Sequence, residues 1–149
     1  CPLVTQEAIV LASTVIASGK ASSYLMLPEI ISREPLGPYV RTGDDQWFNV
    51  VHWMHNAMIE AEERGIDRSN VEQQLGSKDP DIRRLLGADP GLGKMLGLDD
   101  KWAYNVIKQV GNYADVYERN FGAGSPLKFA RGVNGLLGRG GFMYALPMR

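Results

Sequence analysis

The chain has 149 residues, 44% hydrophobic and 22% charged, with a formal net charge of -1 at pH 7. These values fit one ordinary globular core with room for an appendage. The basic residues form no block, so the electrostatic footprint of a nucleic-acid binder is missing and nucleic acid is not an expected partner.

The apolar run Ala8–Ala12, interrupted at Ser13-Thr14 and resumed at Val15-Ile16-Ala17, is shorter than the roughly 20 residues of a membrane span and reads as a buried helix or strand. No basic segment precedes it and no clear small-residue cleavage site follows, so it is not read as a signal peptide. The single cysteine, Cys1, excludes an internal disulfide and leaves the compartment open. A first residue that is Cys and not Met implies processing, excision or numbering from a mature end; N-terminal lipidation of Cys1 is the sharper alternative.

Residues 1–26 have no clear period, and a helix from Gln6 to Ser18 is the favoured reading there. Tyr24–Ile31 is rich in Leu, Met and Ile and predicts an extended strand. Pro35 and Pro38, which supply no ladder donor, restrict its continuation to a crossing or edge position. From Asp44 the period becomes helical, with Trp47, Val50, Val51, Met54, Met58 and Ala61 on one face, a cap at Asp44 or Asp45 and a left-handed stop at Gly65. A buried Trp47 on that face predicts a loss of roughly 3–5 kcal/mol on truncation.

Short helices follow. Ser69-Asn70-Val71-Glu72 reads as a capping box closed by Gly76, and Asp79-Pro80 and Asp89-Pro90 each place a cap before a first-turn proline, with stops at Gly87 and Gly97. Asp99 or Asp100 starts a longer helix through Trp102, Val106 and Val110, bent at Gly111-Asn112. Ser125-Pro126 is expected to open a last helix with Leu127, Ala130, Val133, Leu136 and Leu137 on its apolar face and Gly138 as its stop. Phe142–Leu146 reads as a short strand or an extended tail.

Candidate chemistry is sparse. His52 and His55 lie three apart on one helix and could offer two imidazoles to a metal, but two ligands do not make a site and no HExxH pattern or cysteine pair accompanies them. Cys1 with these histidines is a nominal nucleophile and base without the local signature of a thiol enzyme. Asp44-Asp45, Glu62-Glu63 and Asp99-Asp100 are explained by caps or solvated faces before acid–base work. Gly91–Lys94 and Gly138–Gly141 lack the strand-to-helix setting of a phosphate loop and read as helix stops. No catalytic residue, metal or cofactor is expected.

The run from Leu27 through Pro35, Pro38, Gly43-Asp44-Asp45 to Trp47 resembles the interdomain strand of periplasmic amino-acid-binding proteins of ATP-driven uptake systems, in the general L-amino-acid branch. Asp81–Gly87, Leu92–Asp99, Trp102–Tyr113 and Gly124–Gly132 look like the same family in the same order. The resemblance implies an α/β fold of the type II periplasmic binding proteins. This chain would be a C-terminal part, mostly helical with a few strands, forming an incomplete lobe. Residues 1–26 would be a diverged remnant of a second-lobe strand and helix, 27–42 the crossing strand and 43–149 the helical C-terminal portion of the first lobe.

In that family a Cys-Asp-x-Tyr-Thr-x-Asp strand ends in an aspartate that receives the ligand's α-ammonium group. Thr5 matches the threonine and Glu7 stands in the aspartate's place, while Pro2 and Val4 replace the Asp and Tyr. The resemblance thus implies Thr5 and Glu7 as ligand-binding residues, an L-amino acid as ligand, a membrane permease and an N-terminal lobe as partners, a periplasmic location and no enzymatic activity. The alternative is a truncated descendant acting as a helical self-association module, a homo-oligomer without ligand binding.

Overall fold

The computed structural model describes residues 3–27 and 29–148. Seven α-helices follow one another: α1 Ala8–Ala17, α2 Asp45–Glu63, α3 Val71–Gln74, α4 Pro80–Leu85, α5 Leu92–Met95, α6 Trp102–Val110 and α7 Tyr113–Asn120. The isolated bridge between Leu136 and Met143 is the only β-pairing among the described residues.

Helix α2 is the axis of the molecule. The Asp44 side chain accepts from the Trp47 amide at 3.0 Å and caps its start, and Gly65 takes φ +66 just beyond its end. Its second half is buried against α6 and α7. Ala57 and Ala61 let the helices approach Ile66, Val71, Leu85, Leu86, Trp102, Ala103 and Ile107 in one core.

The first half of α2 departs from expectation. Trp47 and Phe48 are 54% and 53% exposed, so Trp47 is not a core residue; the core packs on the second half of the helix. Helix α1 agrees with the expected Gln6–Ser18 helix within two residues at the start and one at the end, yet it buries only Ala12.

The predicted strand at Tyr24–Ile31 is absent among the described residues. Leu25, Ile30 and Ile31 are exposed, and no described residue from Tyr24 to Val40 enters a backbone–backbone hydrogen bond. The sequence is strand-like, but the described residues offer it no neighbouring strand, so the ladder that would define it is missing. Pro28 lies outside the described residues, as do Cys1, Pro2 and Arg149, and with them the readings placed on Cys1 and Pro2.

Two caps differ from the sequence reading. Helix α3 begins after Asn70, and Asp67 accepts from the Ser69 and Asn70 amides at 2.7 and 3.1 Å; Glu72 instead pairs with Lys108. At Asp89-Pro90 the amides of Gly91 and Gly93 are held by Asp100 at 2.9 and 3.0 Å, while Asp89 binds Arg83 at 2.7 Å. A carboxylate distant in sequence has displaced the adjacent one. Asp79-Pro80, by contrast, caps α4 as read.

The expected helix from Ser125 is not formed. Residues 125–143 make two 3-10 turns, Gly132–Asn134 and Leu137–Arg139, closed by Leu137 N–H to Met143 O at 2.7 Å and Met143 N–H to Gly135 O at 3.0 Å. A Cβ at Gly141 would lie 1.9 Å from the Gly135 carbonyl oxygen, so the turn depends on bare backbone contact. Five glycines between 132 and 141 weaken a helix enough for this closure to win.

Candidate functional site

Thr5 is exposed and Glu7 half-buried at the start of α1. Glu7 is the N-terminal flank of that helix, with extended backbone at φ -52 and ψ 132, and its carbonyl accepts from the Leu11 amide at 2.9 Å. Its side chain makes no capping bond, which leaves the carboxylate available. The strand that the resemblance implies for this region is not formed among residues 3–7; a ladder needs a neighbour that the described residues do not provide.

Two open hollows lie elsewhere. One is apolar, lined by Trp53, Leu92, Met95, Leu96, Trp102 and Met148. The other lies where the stretch after Leu36 returns to α2 and is lined by Pro38, Val40, Phe48, Val51, His52 and His55. Helical spacing brings the two histidines of the second hollow together, as the sequence predicted, but each is engaged by aromatic neighbours. His52 stacks on Phe48 at 5.8 Å and meets Trp53 edge-on at 5.3 Å, and His55 meets Tyr113 edge-on at 5.6 Å. Burial, and then the proximity of His52, hold His55 below the ordinary imidazole value of 6.5. Among the described residues no group of three or more His, Cys, Asp or Glu could hold a metal ion, and no helix is long and apolar enough to cross a membrane.

Sequence reasoning missed the charged centre of the molecule. Arg131 donates to Glu62 Oε1 at 2.6 Å, donates twice to the Asn134 carbonyl at 3.2 and 2.7 Å, and lies over the rings of Tyr113 and Tyr117 at 5.2 and 5.5 Å. Glu62 is 6% exposed and its other oxygen has no partner. Burial pushes both tyrosine hydroxyls above their ordinary value of 10.0. A second cluster joins Arg64 to Glu60 at 3.0 Å and to Asp81 at 2.8 Å. Desolvation raises the Glu60 carboxyl above 4.5 despite the Arg64 hydrogen bond. These pairs bridge up to 69 positions, a separation that no local pattern signals.

No family model matches the chain. The general L-amino acid-binding periplasmic protein AapJ of Rhizobium johnstonii is 50% identical over the whole chain, and the glutamate/glutamine/aspartate/asparagine-binding protein BztA of Rhodobacter capsulatus is 45% identical. Each match covers 44% of the relative, so the chain spans less than half the length of these proteins. The solved structure of an ABC transporter periplasmic binding protein from Brucella ovis with glutathione bound superposes over 93% of the chain and 44% of that protein, with a TM-score of 0.89 and 50% identity. Half identity along the full length, with the same backbone path, goes far beyond a shared architecture. The chain is homologous to part of the amino-acid-binding periplasmic proteins of ABC transporters.

Proposed function

We propose that this chain is part of a periplasmic receptor that captures amino acids for an ABC transporter, and that it works together with polypeptide corresponding to the rest of its relatives. The observation that carries the reading is 50% identity with AapJ along the entire chain. The relatives' ligands share one chemical unit. AapJ is named for L-amino acids and BztA for glutamate, glutamine, aspartate and asparagine, and glutathione carries a free α-amino-acid head on its glutamyl end. An α-ammonium and an α-carboxylate on one carbon are what the receptor would recognise.

Glu7 would receive the ammonium and Thr5 would lie beside it. Their positions at the exposed start of α1 support that role, because the Glu7 carboxylate has no intramolecular cap to make. In this reading residues 1–26 belong to the second lobe, 27–42 cross between lobes and 43–149 complete the first. The exposed apolar side chains Leu25, Ile30, Ile31, Leu36, Trp47 and Phe48 support the assignment. Each is an apolar side chain that a neighbouring lobe would cover. The role is binding and delivery to a membrane permease, without catalysis. The self-associating alternative has no observation of its own.

Native mass spectrometry with a mixture of L-amino acids tests the proposal. The chain alone is expected to carry no amino-acid mass. Supplied in trans with the remaining part of AapJ, it is expected to carry one, and Glu7→Ala is expected to weaken that binding at least tenfold. Micromolar binding by the isolated chain, lost in Glu7→Ala, would overturn the dependence on a partner; a reconstituted pair that binds nothing would overturn the receptor reading.

A further inference from the structure

We infer that Asn134 is a site of spontaneous deamidation through the Gly135 amide, and that Arg131 sets its rate by clamping the peptide group that must move. Of the asparagines in the sequence only Asn134 is followed by glycine; the others precede Val, Ala, Tyr or Phe. Without a Cβ, the glycine leaves its own nitrogen unhindered as an attacking group. Asn134 is exposed at the end of the turn Gly132–Asn134, so water and hydroxide reach its side chain.

The reaction needs only water. The Gly135 amide gives up its proton to hydroxide and its nitrogen bonds to Cγ of Asn134. The Cγ–Nδ2 bond then breaks, and Nδ2 takes up a proton and leaves as ammonia. Water opens the cyclic imide at either carbonyl, which leaves aspartate or isoaspartate at position 134. Isoaspartate adds a main-chain methylene next to Gly135, which lies backbone to backbone against Gly141, and so separates the two strands of the closure.

In the folded turn the ring is kept from closing. The 3-10 backbone at Asn134 turns the following nitrogen away from Cβ, so the peptide group joining 134 to 135 has to rotate first. That group is held at both ends. Its N–H donates to the Gly132 carbonyl at 3.0 Å, and its oxygen accepts from Arg131 Nε at 3.2 Å and Nη2 at 2.7 Å. Because the amide is planar, nitrogen and oxygen turn together, and ring closure begins by breaking the Arg131 fork. The guanidinium is itself fixed by Glu62 at 2.6 Å and by the rings of Tyr113 and Tyr117.

Peptide mapping after incubation at pH 8 and 37 °C reads the reaction, because trypsin releases Gly132–Arg139 with the Asn-Gly pair inside it. In the chain unfolded in urea this peptide should be the first to show loss of ammonia and gain of water. The folded chain should react at least tenfold more slowly. Arg131→Lys keeps the charge opposite Glu62 and the cleavage site but not the two-pronged donor, and should react at least threefold faster than the native fold. Gly87→Ala, destabilised at its contact with Asp100 instead, should keep the native rate. Equal rates in the folded and unfolded native chain would overturn the protection whatever the variants do. A native rate in Arg131→Lys, or the same acceleration in Gly87→Ala, would overturn the clamp. Faster reaction at another asparagine in urea would overturn the choice of site.

Discussion

Arg131 joins three separate parts of the tertiary structure. Its guanidinium ties the turn at 131–134 to α2 through Glu62 and to α7 through two tyrosine rings. Removing one partner of such a buried pair strands the other, which typically costs about 3–5 kcal/mol, whereas replacing both costs far less. Arg131→Met is therefore expected to lower stability by that amount in urea titrations, and the double variant Arg131→Met/Glu62→Gln to recover at least half of the loss. The two tryptophans make a sharper contrast. Trp102→Ala, at 7% exposure, should cost about 3–5 kcal/mol. Trp47→Ala, at 54% exposure, should cost under about 1 kcal/mol in the same titration. Sequence periodicity treated Trp47 as core because it shares the face of Met54 and Met58; it could not register that the core packs only on the second half of the helix.

At the scale of elements, helix starts were legible wherever the capping group is a sequence neighbour. Asp44 and Asp79 cap α2 and α4 as their local patterns predict. The bend read at Gly111-Asn112 is a full break. The Asn112 side chain accepts from the Asp115 amide at 2.9 Å, Asp115 returns the bond to the Asn112 amide at 3.0 Å, and the Asn112 amide group donates to the buried Ile66 carbonyl at 2.7 Å. Asn112→Ala removes a cap and a buried partner together, so a loss of about 2 kcal/mol or more is expected in thermal unfolding followed by circular dichroism. At Gly87, φ is +75 and an added Cβ would sit 2.1 Å from the Asp100 carbonyl oxygen. Gly87→Ala should destabilise at least as much, by clash and by left-handed strain. The misread helix at 125–138 shows the reverse case. Its apolar spacing was helical, but the glycines allowed Gly135 and Gly141 to meet backbone to backbone.

For the whole molecule, proton linkage offers a global check. The His55 pKa is lower in the fold than its ordinary 6.5, so the unfolded chain binds the extra proton first. Stability is lost as pH falls from 6.5 through the lower folded value. Glu60 acts oppositely: its raised carboxyl value means stability lost as pH rises from 4.5 through the folded value. Urea midpoints at pH 7.5 and 5.5 should fall for the native chain and differ less for His55→Phe, which isolates the imidazole. The described residues bury a helical core around α2, while those described between Tyr24 and Tyr39 are exposed, consistent with a chain that spans 44% of AapJ. By itself the sequence determined the resemblance to periplasmic amino-acid receptors, the long helix and its ends, and the caps at Asp44 and Asp79, because residue identities and local hydrogen bonds carry all of these. The tertiary structure alone decided which part of the α2 face is covered, that the strand-like stretch has no ladder among the described residues, that Asp100 replaces Asp89 at α5, and that Arg131 meets Glu62. Each of these depends on atoms brought from distant positions, where neither period nor propensity reaches.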